Sequence, residues 1–321
     1  MLLLGIVLTV VGCEGPQSAL APAGKSAEQL ANLFWVMATG GSVVWAVVVG
    51  VGVYSLLRPE TGNPRKAAIY IIGGGVVFPT ILLTALLCYG LAILPAQVAT
   101  APADSLQIKV IGHQWWWEVR YKLSDGRIVE TANEIRLPVD EPVQFLLESS
   151  DVIHAFWIPS LGGKVDMIPG RQTRLALHPT KTGVYRGVCA EYCGASHSLM
   201  SFFVEVHERS DFDQWLRAQA EPARPPSGPL PARGSELFTM HGCGACHRVE
   251  GTPATGGVGP DLTHVGGRLS LAAGALANDA DDFEAWIRDP KAIKPAAKMP
   301  HFSMLPPEEI EALAAYLDSL Q

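Results

Sequence analysis

Apolar positions follow two patterns along the chain. Up to about residue 95 they run together. Two stretches, roughly Leu30 to Leu57 and Ala67 to Leu94, contain no charged residue. About 20 such residues suffice to cross a bilayer, so a transmembrane helical hairpin over 30–95 is expected. Two buried core helices would be the alternative, but uninterrupted apolar runs of this length are rare in soluble domains. The connector holds Arg58, Arg65 and Lys66, whereas the outer flanks offer only Lys25 and, well after the second run, Lys109. Positive charge stays on the cytoplasmic side. Both termini, and everything after residue 95, are therefore expected outside.

Beyond residue 95 the pattern shortens. QIKVIG, WWWEVRY, RIVETANEIRLP, PVQFLLES, TRLALH and SFFVEVH are rich in β-branched and aromatic residues, with turn signals between them. They predict an antiparallel Greek-key sandwich or barrel within residues 96–220. SDFDQWLRAQA reads as a closing helix with Ser210 as its cap and Asp213 three residues on. EPARPPSGPLPAR, residues 221–233, is Pro-dense and marks a semi-rigid linker. Residues 234–321 read as a small all-α domain closed by PPEEIEALAAYLDSL, with Pro and acidic residues in its first turn.

Composition adjusts this picture in three places. At 321 residues, 48% hydrophobic and 17% charged, the chain suits membrane segments joined to soluble domains. The net charge of −7 argues against nucleic acid as a partner and permits docking of a basic protein. MLLLGIVLTVVGCEG, within the N-terminal segment 1–29, has small residues before Cys13 but no basic start. It resembles a bacterial lipoprotein signal that would be lipidated at Cys13. Of the six cysteines, Cys88 falls in the second apolar run and reads as a small buried hydrophobe. The last four form two close pairs, for which a disulfide is the plain reading in an oxidising compartment.

Cys243-Gly-Ala-Cys246-His247 has the spacing of a c-type haem attachment site. On one helical turn two thiols and an imidazole share a face, so the sulfurs can add to the porphyrin vinyls while His247 reaches the iron. Gly259-Pro260-Asp261-Leu262 resembles the loop by which class I cytochromes c support the proximal histidine. Lys298-Met299-Pro300 resembles the sixth-ligand loop of small bacterial cytochromes. Met299 is preferred to Met304 because a following Pro helps fix the loop. His241, His264 and His301 read as packing or surface residues.

GVCAEYCGASHSLM, residues 187–200, gathers Cys189, Cys193, His197 and Met200 around Glu191. A blue-copper site takes one thiolate, two imidazoles and a weak thioether, one Cys fewer than this. Zinc accepts two Cys and two His but has no use for Met200. Two thiolates four apart can instead bridge two copper ions, each capped by one His.

This motif, with His154 in DVIHAFWIPSLGGKVDMIPGR, resembles the dinuclear copper A motif of cytochrome c oxidase subunit II, over roughly residues 30–210. The resemblance implies a cupredoxin-like domain whose copper ligands are His154, Cys189, Cys193, His197, Met200 and the backbone carbonyl of Glu191. It implies a magnesium ion shared with subunit I, bound by the Glu191 carboxylate, with Asp166 at the same boundary. In His113-Gln114-Trp115-Trp116-Trp117, Trp115 matches the family's electron-entry residue; read as a strand, Trp115 and Trp117 face one way and Trp116 the other. The family often carries a proton-route glutamate before the second span; only Glu60 is near, in a shifted context, and no such role is given to it. The implied function is that of subunit II of a bacterial aerobic oxidase with a fused cytochrome c. Electrons would pass from an external donor, cytochrome c or quinol–cytochrome c reductase, through haem c to copper and on to subunit I. Oxygen reduction and proton translocation would occur in that partner, with subunit III as a further neighbour, all in the plasma membrane. The alternatives are a membrane-anchored carrier for another reductase, such as one acting on nitrous oxide, and a copper storage or delivery protein. The second gives the haem motif no purpose. A quinol-oxidising relative is disfavoured because the metal ligands are all present.

Overall fold

The computed structural model describes residues 14–57, 64–123 and 125–321. Cys13, Arg58 and Glu60 lie outside the described residues. The chain forms two compact units, one running to Ala27 and again from Thr100 to Gln321, the other Glu28–Ala99.

The second unit is helical. Helix α1 (Lys25–Leu57) enters it five residues before the apolar run. A short α2 (Pro64–Ala68), a π-helical stretch (Ile69–Val77) and α3 (Phe78–Val98) form the other arm. The ladder widens where Gly73–Gly75 offer no side chains and Pro79 cannot donate, as π segments do in interrupted helices. No residue in the most apolar window of either arm is buried. Trp45, Leu56 and Ile81 are open to the surroundings, a pattern that suits lipid. Ser42, Ser55 and Thr80 each return their hydroxyl to the carbonyl four residues back, so their polar groups are satisfied within the helix.

The first unit opens with ten strands in two five-stranded sheets. One has the order β3-β2-β1-β5-β8, with β2 spanning Trp116–Lys122 and β8 Thr173–Leu177, the other β4-β10-β9-β6-β7. Strands β1 (Leu106–His113), β5 (Val143–Ser149) and β10 (Ser201–His207) alternate buried and half-exposed side chains as a sandwich requires. Trp117, Phe145, Phe156 and Phe202 meet between the sheets, with Phe156 and Phe202 stacked at 4.9 Å. Gly187 is obligatory there, because a Cβ would lie 2.0 Å from the Phe202 ring.

Two expectations need correction. The sandwich is not wholly antiparallel: β1 pairs with β5, and β10 with β4, in parallel. The stretch 127–138 is two strands, β3 (Ile128–Ala132) and β4 (Glu134–Pro138), one in each sheet. Asn133 makes the crossing in the left-handed region, φ 61°, and its side chain accepts from Trp117 N at 2.9 Å. Strands β6 (His154–Trp157), β7 (Val165–Met167) and β9 (Gly183–Cys189) were not foreseen.

Helix α4 (Arg209–Gln219) follows β10; its N-cap is Glu208, without a side-chain bond, rather than Ser210. Helix α5 (Pro229–Met240) begins inside the expected linker, with proline in its first turn where no N–H is needed. It crosses α8 (Pro307–Asp318) at Gly234, where a Cβ would lie 1.9 Å from Ala312 O, and Phe238 meets Tyr316 edge-on. Helix α6 (Ala280–Arg288) is capped by Asp279, which accepts from Asp282 N, and a short α7 (Pro290–Ile293) follows it.

Candidate functional site

The loop after β9 folds back on itself. Cys189 N donates to Met200 O at 2.9 Å, closing its base against the start of β10, and Ala190 N donates to Ala155 O on β6. His154, first residue of β6, is thereby brought beside the loop. Its ring fits because residue 112 is glycine; a Cβ there would lie 2.8 Å from the imidazole.

Two sulfurs occupy the middle of the cluster, 3.7 Å apart and free. On one side His154 Nδ1 lies 3.8 Å from Cys189 Sγ; on the other, His197 Nδ1 lies 3.6 Å from Cys193 Sγ. Met200 Sδ stands 3.8 Å from Cys193 Sγ, and the Glu191 carbonyl oxygen 3.1 Å from Cys189 Sγ. His154, both cysteines and Met200 are buried. Four donors thus converge on a sulfur pair with one imidazole at each end, making six in all, more than a tetrahedral zinc would take. The set fits two soft ions sharing two thiolates.

The electrostatics suit cation binding. Hydrogen bonding with Cys193, opposed by burial and assisted by His154, brings the Cys189 thiol well below the usual thiol range. Cys193 is pushed well above the usual thiol range, first by Cys189 and then by burial. Burial lowers the pKa of His154, but its bonds with Cys189 and Asp151 outweigh this and leave it raised. Asp151 Oδ1 is 2.9 Å from His154 Nε2, fixing the ring so that Nδ1 faces the sulfur. Burial raises the Asp151 carboxyl, yet hydrogen bonds from His154, Val152 N and Gln114 N carry the net shift downward.

Trp115 does not lie on a strand, since β2 begins at Trp116. It occupies the preceding turn, is 8% exposed, and donates from Nε1 to Cys193 O at 3.0 Å. Gln114 Nε2 donates to the same carbonyl at 2.8 Å. Trp116 stacks on His113 and Trp117 fills the core, so strand alternation describes 116 and 117 but not 115. Glu191 is exposed, and half-exposed Asp166 pairs with Lys164 at 2.8 Å. The Lys164 ammonium is held up first by Asp166 and also feels the charge of Glu191.

In the helical part, α5 stops at His241 because Gly242 turns left-handed, φ 74°. The attachment motif therefore lies on a short 3-10 turn, Cys243–Ala245, rather than an α-helical one. His247 Nδ1 bonds Pro260 O at 2.8 Å, and Gly259 lies against the ring, where a Cβ would come within 2.5 Å. Burial pushes the His247 pKa down, which favours the neutral imidazole that iron needs. Cys243 is half-buried and Cys246 exposed; Val258, whose N–H reaches Cys246 O, leaves 73% of its apolar side chain open. A porphyrin attached there would cover such surface, so the residues fit the group. Met299 is half-buried, whereas Met304 is 68% exposed. His241 pairs with Glu309, His264 with Glu221 O, and His301 with Ser303.

Sequence reasoning missed Asp151 and Gln114, which orient ligands without binding metal. The signal for Asp151 was its place three residues before His154; Gln114 sat unnoticed within the tryptophan run.

Known proteins match both halves. The family model for the periplasmic domain of cytochrome c oxidase subunit II matches residues 122–207, and that for cytochrome c matches residues 231–321. Cytochrome c oxidase subunit 2 of Alkalihalophilus pseudofirmus is 39% identical over 218 residues, 68% of this chain and 62% of that one. The Bacillus subtilis subunit 2 is 31% identical over 355 residues, covering 100% of this chain and 97% of its own length. A solved periplasmic domain of subunit II from Bradyrhizobium japonicum is 32% identical, covers 38% of this chain and 96% of that one, and gives a TM-score of 0.35. With a relative aligned from end to end and a family model on each side of the Pro-rich stretch, the chain belongs to the cytochrome c oxidase subunit 2 family.

Proposed function

We propose that the chain is the electron-relay subunit of a bacterial aerobic respiratory cytochrome c oxidase. Bound to it, haem c and a dinuclear copper A centre supply two one-electron stores in series between an external donor and subunit I, where oxygen is reduced to water with proton pumping. Cys243 and Cys246 would hold the porphyrin covalently, and His247 and Met299 would ligate its iron. His154, Cys189, Cys193, His197, Met200 and the Glu191 carbonyl would hold copper. The Glu191 carboxylate would bind a magnesium ion shared with subunit I, Asp166 would lie at the same boundary, and subunit III completes the assembly. The two arms cross the plasma membrane with both termini and both cofactor domains outside, and Cys13 carries lipid.

One observation carries this reading: two imidazoles, a thioether and a backbone carbonyl converge on a buried sulfur pair in a chain that also holds a haem-attachment turn. The chain's residues supply rigidity. Asp151 and Pro260 each hold one nitrogen of a candidate ligand histidine, which would leave the other fixed in place for a metal. The test is detergent purification with associated chains, followed by metal analysis and paramagnetic resonance. Two coppers sharing one unpaired electron, one covalent haem and a co-purifying multi-span oxygen reductase are expected. Zinc alone, or a Cys189–Cys193 crosslink in the mature protein, would overturn it. A nitrous oxide reductase as the co-purifying partner would reassign the chain to that system.

A further inference from the structure

The helical part touches the sandwich beside the copper ligands, through two segments. The first is residues 294–298. Lys294 Nζ donates to Trp115 O at 2.6 Å and to Ala272 O at 2.8 Å. Ser196, inside the copper loop, donates its hydroxyl to Pro295 O. Lys298 Nζ reaches 3.8 Å from Asp151, the residue that orients His154. The second segment is residues 269–274. Leu269 N donates to Glu134 at 2.6 Å, and Ser201 donates to Ala273 O from both N and Oγ, each at 3.0 Å. Gly274 lies so close to Ser201 that a Cβ would come within 2.3 Å of Oγ.

Two observations separate this from casual contact. Lys294 is 3% exposed, and burying an ammonium group is costly unless its donors are used; two carbonyls take two of its three. Ala272, Ala273 and Ala296 all adopt positive φ, at 52°, 62° and 63°, a region alanine avoids, and all three lie in the docking segments. Such strain persists where surroundings over-determine it.

We propose that Lys294 is a positioning residue that clamps the haem-bearing domain onto Trp115 in one fixed pose and closes that tryptophan to external donors. The clamp ties three things at one point: the loop leading to Met299, the 269–274 segment and the backbone of Trp115. Trp115 then continues to Cys193 O through its own ring N–H. An external donor must therefore deliver its electron at the haem domain. The electron-transfer part of this inference rests on the relay reading; the docking part does not.

The test uses the full chain. In the metal-free protein, amide exchange of 194–201 and 269–274 should be protected at least tenfold over exposed loops. Lys294→Met should abolish that protection and leave 202–206 and 310–317 unchanged. In the loaded protein, Lys294→Met should slow intramolecular haem-to-copper transfer at least tenfold, with both spectra and midpoint potentials unmoved. It should also permit direct copper reduction by an external reduced cytochrome c, a gain that mere destabilisation would not give. Ser196→Ala, a milder change that preserves the fold, should slow transfer about threefold. Unprotected wild-type segments, or wild-type transfer and no new external route in a folded Lys294→Met, would overturn the clamp. A chain that binds no haem or copper but keeps the protected segments would instead overturn the relay reading alone.

Discussion

Replacing Asp151 by Ala tests how far the copper site depends on a residue that binds no metal. Asp151 accepts from His154 Nε2 at 2.9 Å, Gln114 N at 2.7 Å and Val152 N at 2.8 Å. His154 is fully buried, so its ring N–H would lose its partner where water cannot replace it. An orphaned buried donor costs about 1–3 kcal/mol. At about 1.4 kcal/mol per factor of ten, copper affinity should fall roughly 5- to 150-fold. That agrees with the roughly 10- to 100-fold typical when a ligand's supporting partner is lost. Asp151→Asn keeps an acceptor oxygen and should fall between wild type and Asp151→Ala, separating the bond from the charge. Competition against a chromophoric copper(I) chelator, on the full chain under reducing conditions, measures this directly. If Asp151→Ala titrates within about twofold of wild type, the ring is held by packing alone and the argument from its hydrogen bond fails.

Met299→Ala should abolish the far-red methionine–iron absorption of the haem domain, whereas Met304→Ala, at an exposed position, should leave it intact. Gly259→Ala should retain covalent haem but displace the His247 ring, which a Cβ would approach within 2.5 Å; altered axial ligation in the visible and resonance spectra checks it. Burial brings Lys294 from its ordinary 10.5 down to about 7. Between about pH 7 and 10.5 the unfolded chain therefore binds the extra proton, so stability attributable to this residue rises with pH across that window. Denaturant midpoints of wild type and Lys294→Met should diverge in wild type's favour on going alkaline, and parallel curves would refute the linkage.

Much of the architecture could be read from local chemistry. The charge-free runs, the strand-like segments and the two cysteine motifs each carry a signal within a dozen residues. What escaped depends on distant partners. Strands β6 and β7 are only four and three residues long and hold their place by pairing with each other and with β9. Asn133 interrupts a continuous β-like run because its side chain accepts from Trp117 N on the neighbouring strand, 16 residues away in sequence. Trp115 reads as strand by composition but sits in a turn whose neighbours lie nearly 80 residues away. Lys294 carries no local signal; only the meeting of the helical part with the sandwich buries it.

The sulfur pair has a consequence for biogenesis. Without metal, the two sulfurs stand 3.7 Å apart, and the hydrogen bond between them favours one thiolate beside one thiol. Outside the cytoplasm, where the proposed topology puts it, any oxidant that modifies one sulfur gives the other a target within reach. Copper delivery therefore races against crosslinking, and the cradle needs a supply of reducing equivalents until it is filled.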